Sequence, residues 1–199
     1  MKKGIFGGTF DPIHNGHLHV AYEALYKLGL DQIIFVPAGN PPHKTKKIIT
    51  DGEKRVELIK EVISDEKKFK VSSYEVYKKD LSYTYETLKH FNSLEPSTEW
   101  YFITGMDCLM QIDSWKNVSG ILEECKFVVF NRAGYKKEEI YNQKINIENK
   151  YNKEIILLDI PILEISSTLI RKKIKNGENV NYLIPEKLND LLQNIDLYK

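Results

Sequence analysis

Short apolar runs rich in β-branched and aromatic residues recur along the chain, and longer segments with apolar residues at every third or fourth position separate them. Runs of this length and composition are typical of buried strands. They predict strands at 5–6, 32–36, 100–103, 127–130 and 155–158, and a less buried strand at 69–76.

The segments between these runs have the period of amphipathic helices. Apolar residues from Leu18 to Leu28 form one stripe, and Gly29 directly after it fits a C-cap. Thr50 and Glu53 have the spacing of a capping box at the start of a second helix. Further helices are expected from Thr84, over 136–153, from Ser166 to Gly177 and from Pro185.

Strands and helices alternate from one end of the chain to the other. This order favours an α/β fold, with a mainly parallel sheet covered by helices on both faces. The sequence contains neither a linker rich in Pro, Gly and Ser nor an internal repeat, so residues 1–199 are interpreted as a single domain.

Composition narrows the classes of function. Lys and Arg number 29 and Asp and Glu 28, so the chain lacks the positive field that attracts a long polyanion, and nucleic acid is not expected as a partner. A polar, Gly-rich loop follows Lys2-Lys3 instead of an apolar run, which argues against a secretory or membrane segment. We therefore expect a cytoplasmic protein, with Cys108 and Cys125 as unpaired core residues. A homo-oligomer is left open.

The segment 7–17 follows the first predicted strand and opens the first helix. In an open α/β sheet this places it at the carboxyl edge, where ligands bind. Gly7 and Gly8 allow the backbone to approach an anion closely, and a helix that begins at Asn15 or Gly16 would direct unpaired N–H groups at the loop. The segment matches neither the P-loop pattern G-x-x-x-x-G-K-[ST] nor the dinucleotide fingerprint G-x-G-x-x-G.

His14 and His17 are three residues apart and are expected on the same side of the helix start. Two imidazoles at the positive end of a helix dipole suit a phosphate chain. Zinc is a weaker alternative, because no third ligand stands at a suitable spacing, and we expect no metal held by the protein itself. His19, His43 and His90 belong to no pattern and are interpreted as surface or core residues.

The letters G-T-F-D-P-I-H-N-G-H, residues 8–17, resemble the H-x-G-H signature of the nucleotidylyltransferase superfamily. The resemblance implies a Rossmann-like fold with a nucleoside triphosphate bound across this loop. It also implies that His14 and His17 are catalytic. Further contacts with ATP are expected from Gly7, Gly8, Thr9 and Phe10.

Four further segments resemble bacterial nicotinate-nucleotide adenylyltransferases. In G-N-P-P-H-K-T, residues 39–45, two prolines stiffen a loop, and the resemblance implies that Lys44 contacts phosphate and assists the transfer, with Asn40 beside the acceptor. The second segment precedes a helix, and Asp80-Leu81 stands before it where the family often has Gly-Pro. Its residues expected to bind the acceptor are Ser82, Tyr83 and Thr84.

The other two segments also follow predicted strands. T-G-M-D-x-L at 104–109, with Trp115 beyond it, resembles the family pattern G-x-D-x-L…W. This implies that Gly105 and Asp107 contact ATP and that Trp115 stacks on the pyridine ring of the acceptor, and Arg132 in an R-x-G turn is expected to face the same pocket. I-S-S-T-x-I-R resembles the second signature of the superfamily, with ATP-binding residues expected at Ile165, Ser166, Ser167 and Arg171.

The resemblance implies transfer of AMP from ATP to nicotinate mononucleotide, with release of pyrophosphate, as a step of NAD biosynthesis. Mg²⁺ is expected to be carried on the ATP phosphates. Nicotinamide mononucleotide stays open as an acceptor, and pantetheine phosphate is disfavoured by His14 and by the segment 82–84. Cytidylyltransferases share H-x-G-H but typically have an R-T-x-G-I-S-T element that this sequence lacks. A non-catalytic nucleotide sensor is the alternative from another class.

Overall fold

The central element of the fold is a parallel sheet. The computed structural model describes residues 1–39, 49–78, 80–131, 134–194 and 197–198, and in this part of the chain six strands form one sheet. They are β1 (Lys2–Gly8), β2 (Gln32–Pro37), β3 (Phe69–Val71), β4 (Glu99–Gly105), β5 (Lys126–Phe130) and β6 (Ile155–Leu158). Their order across the sheet is β3-β2-β1-β4-β5-β6, and every neighbouring pair is parallel.

Helices connect the strands. They are α1 (Asn15–Lys27), α2 (Gly52–Val62), α3 (Tyr74–Tyr77), α4 (Thr84–Leu94), α5 (Met106–Met110), α6 (Val118–Glu124), α7 (Lys137–Tyr151), α8 (Ser167–Lys175) and α9 (Glu186–Asn194), with a 3-10 turn at Ile112–Ser114. No helix in the described ranges is long and apolar enough to cross a membrane.

Alternate residues of the strands enter two separate cores, one on each face of the sheet. Ile33 and Phe35 of β2 pack in the first core with α1, α2, α8 and α9, whereas Ile34 and Val36 pack in the second core with α4, α5, α6 and α7. Apolar side chains are therefore needed at consecutive strand positions, which explains the continuous apolar runs in the sequence. The predicted Rossmann-like α/β fold with helices on both faces is confirmed.

The order of the strands reverses at β1, because β2 lies on one side of it and β4 on the other. In an open α/β sheet, a ligand crevice forms outside the carboxyl ends of the strands at such a switch point. The loops after β1 and β4 both begin there. The topology thus brings the segments 9–14 and 105–107 to one edge of the sheet.

The predicted strand at 69–76 is wrong beyond Val71. Residues from Tyr74 onward form the short helix α3, although tyrosine and valine favour strands. The Tyr74 ring stacks on His90 of α4, with centroids 3.8 Å apart and an interplanar angle of 7°. Val76 packs over Gly52, where a Cβ would lie 2.6 Å from a valine methyl carbon. These tertiary contacts outweigh the local preference for a strand.

The start of α2 also differs from its prediction. The N-cap is Asp51, whose carboxylate accepts hydrogen bonds from the N–H groups of Glu53 and Lys54 at 2.9 and 3.3 Å. Thr50 lies one residue before the cap and donates its own N–H to a carboxylate oxygen of Asp11. The other predicted helix boundaries agree with the structure, including the left-handed Gly29 and Gly177 after α1 and α8.

Removal of the Asp51 carboxylate leaves two N–H groups at the first turn of α2 without their side-chain acceptor. We expect Asp51→Ala to lower the free energy of unfolding by about 1 kcal/mol, measured by urea denaturation. Asp51→Asn is the control, because asparagine caps a helix about as well as aspartate. Equal destabilisation by both substitutions would show that the cap is not the cause.

Candidate active site

Two cavities are lined by the loop that follows β1. The first cavity has a volume of about 300 Å³ and is also lined by α1 and by residues 160–171. The second cavity has a volume of about 510 Å³ and is lined by the end of β1, Ala38, the start of α4 and Trp115. Thr9 lines both cavities, so they adjoin at this residue.

Most of the predicted site residues line one of these cavities. The first cavity contains Thr9, Phe10, His14, His17, Ile165, Ser166, Ser167 and Arg171. The second contains Gly7, Gly8, Ser82, Tyr83, Thr84 and Trp115. Among the described residues, Gly105 and Asp107 line neither cavity. Asn40, Lys44, Arg132 and His43 lie outside the described residues.

His14 and His17 form a stacked pair beside Thr9 in the wall of the first cavity. Their ring centroids are 3.7 Å apart with an interplanar angle of 23°. His14 is only 4 % exposed, whereas His17 is half-buried. The N–H of His14 donates to Nδ1 of His17 at 3.2 Å. Because Nδ1 accepts this bond, the hydrogen of a neutral His17 ring lies on Nε2, which makes Nε2 a donor.

The start of α1 at Asn15 confirms the predicted helix boundary, but the prediction of free N–H groups at this start is wrong for two residues. The N–H of Asn15 donates to the carbonyl of Leu183 at 3.1 Å, and the N–H of His17 donates to the carbonyl of His14 at 2.9 Å. At these two positions the backbone donors are bound within the protein, whereas Nε2 of His17 is a side-chain donor in the wall of the first cavity.

Phe10 packs against the His17 ring of the histidine pair. It is 1 % exposed and has a φ of +49°, and its ring centroid lies 4.8 Å from that of His17. A Cβ on Gly8 would lie 2.8 Å from the Phe10 ring, so the absence of a side chain at Gly8 is what lets the ring fold back over β1. Whether Gly7, Gly8 and Phe10 contact ATP stays a prediction.

Three backbone carbonyls of the loop after β1 accept hydrogen bonds from distant side chains. Arg55 of α2 donates to the carbonyl of Thr9 at 2.7 Å, and Arg171 of α8 donates to that of Asp11 at 2.5 Å. The hydroxyl of Ser167 donates to the carbonyl of Pro12 at 2.9 Å. This loop is therefore held from two helices on the same face of the sheet.

The carboxylate of Asp11 forms its hydrogen bonds with groups of the protein itself. It is 4 % exposed, accepts from the hydroxyl of Tyr198 at 2.6 Å and from the N–H of Thr50 at 3.3 Å, and lies 3.9 Å from Nη1 of Arg171. Burial, and then the bond to Asp11, raises the pKa of the Tyr198 hydroxyl, which keeps it a hydrogen-bond donor. Asp11 thus joins the first cavity to the end of the described chain.

The predicted N-cap of α8 is confirmed. The hydroxyl oxygen of Ser166 accepts from the N–H of Leu169 at 3.2 Å and still has its hydrogen to donate. The hydrogen of Ser167 is already used on Pro12. Of the two hydroxyls predicted to bind phosphate, Ser166 is consequently the one whose donor remains available.

The second cavity contains a half-buried carboxyl group that no sequence motif indicates. Glu75 of α3 accepts from the hydroxyl of Thr87 at 2.6 Å and from the N–H of Gly39. Burial raises the pKa of Glu75. Lys116 lies on the same wall, with its ammonium 4.1 Å from the ring centroid of Tyr83.

Asp107 has a partner at the carboxyl end of β4. Its Oδ1 accepts from the hydroxyl of Tyr135 at 2.7 Å. Trp115 is anchored by edge contacts with Phe102 and Phe127, with centroids 6.2 and 6.3 Å away. The anchoring fixes Trp115 in the wall of the second cavity, whereas contact of Asp107 with ATP stays a prediction.

Two further residues make contacts that no sequence motif indicates. Arg55 is 2 % exposed and lies on the same face of α2 as the apolar residues Leu58 and Ile59. A charged residue at an apolar position of the helical period was the one sequence feature that could have indicated it. His19 lines the first cavity, and its Nε2 lies 2.8 Å from the carbonyl oxygen of Pro161. No local pattern around His19 indicated this contact.

Comparison with known proteins agrees with this geometry. Residues 5–173 match the family described as cytidylyltransferase-like. A protein of Clostridium novyi named "Probable nicotinate-nucleotide adenylyltransferase" is 64% identical over 198 residues, covering 100% of this chain and 99% of the relative. A protein of Clostridium kluyveri with the same name is 58% identical over 202 residues and is covered, like this chain, over 100% of its length.

Solved structures share the fold. The nicotinic acid mononucleotide adenylyltransferase of Plasmodium falciparum complexed with NaAD superposes with a TM-score of 0.76 at 23% identity, over 99% of this chain and 97% of the other. The same enzyme complexed with APC also gives a TM-score of 0.76 and 23% identity, over 99% of this chain and 96% of the other.

The Asp11 contacts lead to a stability prediction. In Asp11→Asn, an NH₂ turned toward Thr50 meets an N–H that cannot accept, whereas an NH₂ turned toward Tyr198 leaves the hydroxyl hydrogen of Tyr198 without its present acceptor. We expect the free energy of unfolding to fall by about 1–3 kcal/mol in urea denaturation. Tyr198→Phe removes one partner only and should cost less. Wild-type stability of Asp11→Asn would contradict the assigned contacts.

Proposed function

Because this chain belongs to the cytidylyltransferase-like family and to its nicotinate-nucleotide adenylyltransferases, we propose that the first cavity binds ATP and the second binds nicotinate mononucleotide. The enzyme transfers AMP from ATP to the acceptor, giving nicotinate adenine dinucleotide and pyrophosphate in NAD biosynthesis. The observation that carries this assignment is the meeting of the two cavities at Thr9, beside the histidine pair.

The transfer is an in-line displacement at phosphorus. An oxygen of the acceptor's phosphate attacks the α-phosphorus of ATP and forms a new P–O bond. The bond from the α-phosphorus to the oxygen bridging to the β-phosphate breaks, and its electron pair leaves with pyrophosphate. The attacking phosphate is already anionic, so catalysis comes from alignment and charge stabilisation rather than from a covalent enzyme intermediate.

The residues of the first cavity suit the charge that develops. Nε2 of His17 is a donor and would hydrogen-bond a non-bridging oxygen of the α-phosphate. His14 is stacked behind it and fixes its orientation through the bond to Nδ1. Arg171 and Ser166 would bind the phosphates from the start of α8. On the resemblance of its segment, Lys44 would assist from the loop after β2.

Mg²⁺ would be carried by the phosphates of ATP and would neutralise part of their charge. Asp11 is the one carboxylate among the described residues that line the first cavity. Both of its oxygens already accept hydrogen bonds, from Tyr198 and Thr50. This fits a metal held chiefly by phosphate and water oxygens.

The second cavity suits an acidic pyridine nucleotide. Trp115 would stack on the ring, and the N-terminus of α4 at Thr84 would receive the carboxylate through its N–H groups. Lys116 lies on the same wall and shares the carboxylate of Glu86 with Lys78, so these three groups together carry a net positive charge. The carboxyl of Glu75, whose pKa burial raises, accepts hydrogen bonds from Thr87 and Gly39 in this cavity.

Pyrophosphate release from ATP and Mg²⁺ tests the proposed function. Nicotinate mononucleotide, nicotinamide mononucleotide and phosphopantetheine are compared as acceptors at equal concentrations. We expect the highest kcat/KM with nicotinate mononucleotide, because the neutral carboxamide cannot use the charge of Lys116 and the α4 dipole. Equal rates with both pyridine nucleotides would contradict the assigned carboxylate contacts. No release of pyrophosphate with any of the three acceptors would refute the proposed activity.

If His17 stabilises the transition state, its removal should lower the rate of AMP transfer much more than the affinity for ATP. In His17→Ala, the single-turnover rate should fall by about 100- to 1000-fold, because a donor to the transition state is lost. The dissociation constant of ATP should change by less than about threefold. Tyr26→Ala is the control, since Tyr26 is an exposed residue of the same helix, α1, and lines neither cavity. Equal losses of rate and affinity in His17→Ala would refute this role.

A further inference from the structure

Arg55 occupies an unusual position for an arginine. Its side chain is 2 % exposed, yet it forms no ion pair among the described residues. Nε donates to the carbonyl of Thr50 at 2.9 Å, Nη1 to that of Thr9 at 2.7 Å and Nη2 to that of Ala38 at 2.8 Å. A buried charge of this kind is costly unless its hydrogen bonds are satisfied. Three carbonyl acceptors provide that compensation.

Two of the three carbonyls belong to residues that line a cavity, and the third belongs to a residue that is hydrogen-bonded to a lining residue. Thr9 lines both cavities, and Ala38 lines the second. Thr50 donates its N–H to Asp11, which lines the first cavity. The planar guanidinium presents its N–H donors in a fixed fork, so these contacts set the relative positions of all three segments.

We propose that Arg55 is a positioning residue that sets the alignment of the two substrate cavities, and hence the in-line approach of the acceptor phosphate to the α-phosphorus. The proposal rests on the proposed function, because alignment matters only if the cavities hold the two reacting substrates. Arg55 itself touches neither substrate. It acts through Thr9, whose carbonyl it holds at the junction of the cavities.

A backbone contact supports the same conclusion. The N–H of Ala38 donates to the carbonyl of Gly8 at 2.8 Å, so the chain segments that Arg55 joins are already neighbours at the end of β1. Arg55 adds the carbonyls of the next residue, Thr9, and of Ala38 itself. Without the guanidinium, these segments keep one link but lose the constraint on their relative angle. A displacement near 1 Å in a reacting pair can lower the rate by about 100-fold.

The test uses Arg55→Lys and Arg55→Met. Lysine keeps the charge but cannot reach three carbonyls in different directions, and methionine removes every donor. Isothermal titration gives the stoichiometry and the dissociation constant for a non-cleavable ATP analogue and for nicotinate mononucleotide separately. Rapid-quench single turnovers then give the rate of AMP transfer with both sites saturated. Lys54→Met is the matched control, because its neighbouring side chain is partly exposed and pairs with Glu57.

We expect Arg55→Lys to bind each ligand at one site per chain with affinity within about threefold of wild type, while the single-turnover rate falls by about 100-fold. Arg55→Met should lose more rate, and Lys54→Met should match wild type. A merely structural role would instead lower the number of binding sites and leave the rate per occupied site unchanged. The proposal would be overturned by that result. It would also be overturned by a wild-type rate in Arg55→Lys or by loss of cooperative unfolding in both variants.

The wild type separates this proposal from the proposed function. If wild-type protein transfers AMP to nicotinate mononucleotide and both Arg55 variants equal it, only the positioning role fails. If the wild type transfers none, the proposed function fails, and the role of Arg55 fails with it.

Discussion

The hydrogen bonds to the carbonyls of the loop after β1 are the constraint on which the site depends. The carbonyls of Thr9, Asp11 and Pro12 each accept a hydrogen bond from a distant side chain, and a buried carbonyl without a partner is costly. Arg55, Arg171 and Ser167 supply the donors from α2 and α8. The loop is held by side chains that are distant in sequence, so the cavities take shape only when the whole sheet is assembled.

The topology of the sheet explains why the site lies where it does. β1 is flanked by β2 and β4, and the reversal of strand order leaves a crevice at their carboxyl ends. The first core brings α1, α2 and α8 to one face, and the second core brings α4 and Trp115 to the other. Each cavity is therefore lined mainly by elements from one face of the sheet, and the loop at Thr9 lines both.

The sequence predicts the fold well because both faces of the sheet are buried. Continuous apolar runs mark strands such as β2 and β5, and the glycines after α1 and α8 mark helix ends. The prediction fails where a local pattern meets a stronger tertiary contact. Tyr74 belongs to a helix because its ring stacks on His90, and Asp51 rather than Thr50 caps α2 because the N–H of Thr50 is bound to Asp11.

The residues of the candidate site also divide into those that a sequence motif indicates and those that only the tertiary contacts show. His14, His17, Ser166 and Arg171 are found from sequence because short motifs at strand–helix junctions carry them. Arg55, Glu75 and His19 are not, because their partners are far along the chain. Arg55 reaches Thr9 across 46 positions, and His19 reaches Pro161 across 142. Only the packing of α2 and of the segment before α8 brings these groups together.

The meeting of the two substrates at Thr9 can be tested by a structure of the chain with a non-cleavable ATP analogue and nicotinate mononucleotide bound together. We expect the α-phosphorus to lie beside Thr9 within hydrogen-bonding reach of His17, with the acceptor phosphate oxygen about 3–3.5 Å away and opposite the leaving oxygen. Triphosphate and acceptor phosphate bound at places that do not meet at Thr9 would contradict it.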